Sequence, residues 1–330
     1  MNKKQKLIIF NIAIALILII SCIIVATFFF KVKKESSSPL SLTKLILYSS
    51  LQESQLTQIK ILFEKLNPDI TLEFQTTGSG KIVSKLLSNL QLGDIQADLV
   101  WIGDPASFKP LIDADLLLNY VSDNYRDVDE KLKLANPCLT TAKLVEMGFI
   151  YNTKLLESSQ VPRTWEDILK VEQLLIPDPA ISGTMYYTLL KLSESEALAN
   201  LKNANLVICS GSGATGYQVG NGKYSLAIVA DHVASMISNM GLPVSFIHPI
   251  GKSIIIPSPI AIIKNSKHQS EAKRFIDFIL SDMGQALLAS LDILPVRGEF
   301  ARVFTSKDIF ENENIYNKDE FISAFDKTFL

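Results

Sequence analysis

Four short runs of Ser, Thr and Gly stand where a strand is expected to end and a helix to begin: Tyr48-Ser49-Ser50, Thr76-Thr77-Gly78-Ser79-Gly80, Ser182-Gly183-Thr184 and Ser210-Gly211-Ser212-Gly213-Ala214-Thr215-Gly216. A helix start carries unpaired backbone N–H groups and the positive end of the helix dipole, so small hydroxyl residues there suit a phosphate, phosphonate or carboxylate. A single run of this kind is an ordinary helix N-cap. Four in one chain point to an anion held by neutral donors.

Other chemistries find little support. The chain has three histidines (His232, His248, His268) and three cysteines, with no CxxC and no HExxH, so a His-based zinc site or hydrolase centre is not expected. Ser210-Gly211-Ser212-Gly213 resembles a nucleophile elbow in letters only, and the chain is read as a non-enzyme needing no cofactor. Cys138 and Cys209 either pair or stay as two separate thiols. A formal net charge of -2 offers no basic patch for nucleic acid.

The elements that must position these runs follow from periodicity. Leu45 to Tyr48 reads as a buried strand, and Leu56, Ile59, Leu62, Phe63 and Leu66 mark one face of a helix over Gln52 to Leu66. Strands over Ile70 to Phe74 and Asp98 to Ile102, with a helix over Lys81 to Leu92 between them, complete a β-α-β-α-β unit and a mostly parallel sheet. Sites in such sheets lie beyond the carboxyl ends of the strands.

Long extended segments at Thr141 to Tyr151 and Ser253 to Lys264 suit crossings between two lobes. Between them lies a second α/β set: a helix opened by Thr164-Trp165-Glu166-Asp167, a strand near Leu174 to Ile176, helices over Met185 to Leu201, and strands at Leu206 to Cys209 and Tyr224 to Ala230. Lobe 1 is therefore expected to comprise residues 39–145 and 260–330, and lobe 2 residues 146–259. Two lobes exchanging chain twice can hinge about a cleft.

The N-terminus reads differently. After Lys3, Lys4 and Lys6, an apolar run from Leu7 to Phe30, roughly two dozen residues, is long enough to cross a bilayer. Residues 1–38 are read as a retained anchor with a Ser-rich tether, or as a lipoprotein signal with Cys22 as the lipidated residue. Flanking lysines balance, so charge does not set the orientation.

Tyr48-Ser49-Ser50, Thr77-Gly78-Ser79-Gly80, Asp98-Leu99-Val100-Trp101, Tyr151-Asn152-Thr153-Lys154, Pro162-Arg163-Thr164-Trp165-Glu166-Asp167, Pro177-Asp178-Pro179, Gly211-Ser212-Gly213 and Ile256-Pro257-Ser258-Pro259-Ile260-Ala261 occur in order. Together they resemble the extracellular solute-binding proteins of ATP-driven importers, in the branch often labelled ferric-iron binding, over roughly Leu45 to Arg297. The resemblance implies an α/β protein of the type II periplasmic-binding-protein fold, two α/β lobes joined by two crossing strands. It also implies a monomeric receptor on the periplasmic or extracytoplasmic face of the cytoplasmic membrane, handing a small solute to an ABC permease.

Ferric-iron members resemble one another in a pair of adjacent tyrosines after the strand that corresponds to Tyr224 to Ala230, where this chain has Asp231-His232. Losing both phenolates removes oxygen ligands that suit a hard cation. Tyr186-Tyr187 follows another cradle inside an expected helix, where neighbours diverge by about 100°. If iron were the cargo, Tyr186, Tyr187, Asp231 and His232 would be its candidate ligands. Other members of the branch bind hexose phosphates or aminoethylphosphonate. By that resemblance Ser49, Ser50, Thr77, Gly78, Ser79, Ser182, Gly183 and Thr184 hold the anion, and Asp231 and His232 meet hydroxyl or ammonium groups of the organic part. Thr77 and Thr184 can equally be plain N-caps, and Asp231 a cap of its own helix. Iron binding, and a membrane-tethered sensor module, stand as the alternatives.

Overall fold

Among the described residues a ten-stranded sheet runs in the order Ile70–Thr76, Thr43–Ser49, Leu99–Trp101, Ile254–Ile263, Thr140–Asn152, Leu226–Ala230, Gln173–Pro177, Asn205–Cys209, with Leu117–Leu118 added beside Ile254–Ile263 and Val244–Ile247 beside Thr140–Asn152. The structure, a computed structural model, describes residues 42–168, 170–193, 205–251, 253–302, 321–323, 325 and 327. The anchor, the tether and Cys22 lie outside the described residues.

The first half of the sheet is the expected β-α-β-α-β unit. It consists of β1 (Thr43–Ser49), α1 (Glu53–Leu66), β2 (Ile70–Thr76), α2 (Ser79–Leu92) and β3 (Leu99–Trp101). β1 pairs in parallel with both β2 and β3. Leu56, Ile59 and Phe63 form the buried face of α1. Gly93, in the left-handed conformation at φ 68°, ends α2 as glycine commonly does. A short helix α3 (Lys109–Asp113) and a two-residue strand β4 (Leu117–Leu118) follow.

β5 (Thr140–Asn152) is the first crossing, and all thirteen of its residues are buried. That burial explains why its sequence shows no regular alternation of apolar and polar residues, since a strand covered on both faces has no solvent side to alternate with. The second lobe continues with α4 (Trp165–Ile168), β6 (Gln173–Pro177), α5 (Gly183–Ser193), β7 (Asn205–Cys209), α6 (Ser212–Gly220), β8 (Leu226–Ala230), α7 (Asp231–Asn239) and β9 (Val244–Ile247). The chain returns through β10 (Ile254–Ile263), antiparallel to β5, and closes with α8 (Gln269–Leu280) and α9 (Asp282–Ser290). The β5–β10 register slips between Ser258 and Pro259, an irregularity that accommodates a residue without a ladder N–H.

Two main cores sit on either side of this strand pair. One joins α1, β1 and β3 to α8, with Phe63 and Phe275 edge to face at 5.0 Å. The other gathers β5, β6, β8 and α7, with Phe149 against Trp165 at 5.0 Å. Such aromatic pairs add about 0.5–1.5 kcal/mol beyond area burial. Trp101, at the end of β3, is fully buried in the first core. Cys138 and Cys209 are both free thiols: Cys138 donates to Asn119 Oδ1 at 2.7 Å, whereas Cys209 accepts from Gln218 at 2.9 Å.

One segment departs from expectation. Phe321 and Phe325, from the stretch assigned to lobe 1, pack on the second core, and Phe321 meets Tyr186 edge to face at 5.4 Å. An amphipathic segment docks where an apolar face is open, and sequence position does not say on which lobe that face lies.

Candidate functional site

Several of the Ser/Thr/Gly runs converge because their helices start at the carboxyl ends of strands that face one cleft. A cavity of about 380 Å³ opens between β5 and the starts of α1, α2, α5, α6 and α7. Ser50, Thr77, Gly78, Ser79, Ser182, Gly183, Thr184, Ser212 and His232 line it. Gly103 marks the point of convergence. A Cβ there would lie 3.7 Å from both the Ser50 and Ser79 hydroxyls and 2.9 Å from the Thr184 methyl.

Within the cluster the hydroxyls have different tasks. Ser182 caps α5, its Oγ accepting from the Met185 N–H at 3.3 Å, and it also bonds Ser212 Oγ at 2.9 Å and Thr184 Oγ1 at 3.2 Å. Ser79 Oγ accepts from the Gly103 N–H at 3.3 Å. Thr77 is not a cap: Gly78 occupies that position at φ -61° with no side-chain cap bond, and Thr77 borders the cavity one residue earlier.

Ser49 departs from its expected place. Its hydroxyl is fully buried, donating to the Trp101 carbonyl at 2.9 Å and accepting from the Leu51 N–H at 3.1 Å, so it ties β1 to β3 instead of lining the cavity. Successive side chains in a strand point to opposite faces, which turns Ser49 inward at the strand end. Asp231 opens α7 and accepts from the His232 N–H at 2.8 Å; only His232 of the pair lines the cavity. The His232 ring nitrogen Nδ1 lies 3.4 Å from the Asp231 carboxylate.

The tyrosine pair is elsewhere. Tyr186 is fully buried beside Ala106 and Leu190, and Tyr187 belongs to the second core. Neither lines the cavity, so neither phenol is placed to meet a cargo there. Asp104 accepts from the Ser107 N–H and the Ser107 hydroxyl, both at 2.8 Å.

Lys143 is the residue that sequence reasoning missed. It lies on the crossing strand β5, is 5 % exposed, and lines the cavity beside Val145. Among the described residues its ammonium has no hydrogen-bond or ion-pair partner. Burial pushes its ammonium down to about 8, partly opposed by the negative charge of Asp231. Taking a cation out of water is costly unless something compensates it, so an unpaired ammonium facing a cavity is a waiting counter-charge. Lys81, in the first turn of α2, adds a second cation at the rim, and no carboxylate and no phenol is among the described residues that line the cavity. The signal available in the sequence was a lysine inside a mostly apolar extended stretch, Leu139 to Tyr151.

Comparison with known proteins bears on what this cavity serves. The family profile described as bacterial extracellular solute-binding protein matches residues 44–286. An uncharacterized protein of Haemophilus influenzae is 27% identical over 242 residues, covering 66% of this chain and 68% of that protein. Among solved structures, the substrate-binding protein of an ABC transporter from Agrobacterium tumefaciens superposes with a TM-score of 0.77 at 16% identity, covering 89% of this chain and 96% of its own. Iron-bound HitA from Pseudomonas aeruginosa gives 0.73 at 17%, covering 87% and 100%. AfuA from Actinobacillus pleuropneumoniae, with exogenous fructose-6-phosphate bound, gives 0.71 at 22%, covering 86% and 97%. At these identities the structural likeness establishes the shared two-lobe α/β fold.

Proposed function

The chain belongs to the bacterial extracellular solute-binding proteins, and from that premise we propose that it is the substrate-binding component of an ABC importer that captures a small phosphorylated or phosphonate solute. One observation carries the choice of cargo. The cavity joins hydroxyl-bearing helix starts to the unpaired ammonium of Lys143, with no carboxylate or phenol among its described lining residues. Such a lining attracts an anion and repels a bare ferric ion, which needs hard anionic oxygens.

The fold accepts both kinds of cargo, since iron-bound HitA and fructose-6-phosphate-bound AfuA share it. The distinction must come from side chains. Ser50, Thr77, Ser79, Ser182, Thr184 and Ser212 offer neutral donors to phosphoryl oxygens, Lys143 supplies the charge-assisted bond, and His232 meets the organic part.

The test is a thermal-shift panel on the full chain, unfolded and refolded to strip bound solute, with hexose phosphates, glycerol phosphates, aminoethylphosphonate and ferric citrate. A ligand at a hundred times its dissociation constant adds about 2.7 kcal/mol. Stabilisation by a phosphate ester or phosphonate, lost in Lys143→Met, supports the reading. Stabilisation by ferric citrate alone overturns it in favour of iron.

Membrane retention through the apolar run Leu7 to Phe30, with the folded part outside the cytoplasm beside its permease, belongs to the same proposal. Recovery of the mature protein in a soluble periplasmic fraction would refute retention.

A further inference from the structure

The two lobes touch at α2 and the turn before α5, and we infer that Gly80 is the positioning residue on which the cleft closes. Its backbone N–H, one of the donors a helix start leaves free, donates to the Ile181 carbonyl at 3.3 Å across the cleft. A Cβ at Gly80 would sit 2.5 Å from the Ala180 carbonyl oxygen, closer than real contacts allow. That carbonyl belongs to a turn that cannot easily retreat: Asp178 holds it through its side chain to the Ala180 N–H at 2.8 Å and through its carbonyl to the Ser182 N–H at 2.8 Å.

Gly80 lies in ordinary helical backbone inside α2, so no left-handed conformation requires glycine there. Helix propensity favours alanine at such a site. The close approach of the other lobe is what excludes a side chain. Gly78 lies on the same contact with more room, a Cβ there standing 3.1 Å from the Ile181 carbonyl oxygen. Steric demand thus predicts a graded effect, Gly80→Ala larger than Gly78→Ala. A residue important only for folding of α2 would instead gain from alanine.

This inference is independent of which solute the cavity takes, and its test needs none. Hydrogen–deuterium exchange on the full-length protein reads the amide at position 80, corrected for intrinsic rate, together with thermal unfolding. The wild type is expected to protect that amide. Gly80→Ala should exchange about tenfold faster there with an unchanged or higher Tm, and Gly78→Ala should show a smaller change. Three outcomes would overturn the inference: an unprotected amide in the wild type, wild-type exchange in Gly80→Ala, or a lowered Tm with protection lost along the whole of α2.

Discussion

The Gln52 side-chain amide donates to the backbone carbonyl of His232 at 3.2 Å, a bond between residues 180 positions apart that joins the start of α1 to the first turn of α7. Both residues line the cavity. A neutral hydrogen bond of this kind contributes about 0.5–1.5 kcal/mol net, so Gln52→Ala should release solute about 2- to 12-fold faster. Stopped-flow dissociation of the solute selected by the thermal panel checks this. An unchanged rate would mean that the bond does not hold the cleft shut.

Lys143→Met should weaken anion binding about 10- to 150-fold, because a charge-assisted bond is worth about 1.5–3 kcal/mol. The unliganded protein should melt at the same or a higher temperature, since the cost of burying a cation disappears and methionine fills much the same space. Calorimetric titration and a melting curve of the same sample separate the two effects. A lower melting temperature with intact affinity would make Lys143 a structural residue.

Most of the architecture was readable from periodicity. The α1 face at Leu56, Ile59 and Phe63 and the two long crossings needed only spacing and length to be seen. The site was less legible, for identifiable reasons. A run of hydroxyls does not say which one faces the cleft, and Ser49 turned inward while Ser50 lines the cavity. Lys143 hid in a strand whose residues are all buried, where alternation cannot separate a cavity-facing position from a core one. Gly103 and Gln52 gain their meaning from contacts across the cleft, with Thr184 and His232, 81 and 180 residues away in sequence respectively.

The Lys143 ammonium, lowered by burial to about 8, gives opposite pH dependences to stability and to binding. Below about pH 8 the lysine is charged both folded and unfolded, and the full cost of burying the charge is present. Between about 8 and 10.4 the unfolded chain binds more protons than the folded one, so stability of the unliganded protein rises with pH in that window. Solute affinity should do the reverse, falling as pH passes about 8 and the counter-charge is lost. The difference between wild type and Lys143→Met isolates this lysine from other groups that titrate nearby in pH. Parallel profiles for the two proteins would rule out Lys143 as the source.

Ser182 holds both a helix and a cradle, and the two roles can be separated by substitution. Its hydroxyl caps α5 through the Met185 N–H at 3.3 Å and bonds Ser212 Oγ at 2.9 Å on the start of α6. Ser182→Ala should therefore cost about 1 kcal/mol of unfolding free energy, the usual worth of an N-cap, in addition to weakening solute binding. Ser212 caps nothing, because Gly211 precedes α6 as its N-cap, so Ser212→Ala should weaken binding with little loss of stability. Residues sharing one hydrogen bond and one ligand are coupled, and the double variant should lose less affinity than the two single losses combined. Denaturant unfolding and calorimetric titration of the three variants measure both terms. Fully additive affinity losses would mean that the two hydroxyls contact the solute independently, and that the cradle does not act as a single preorganised unit.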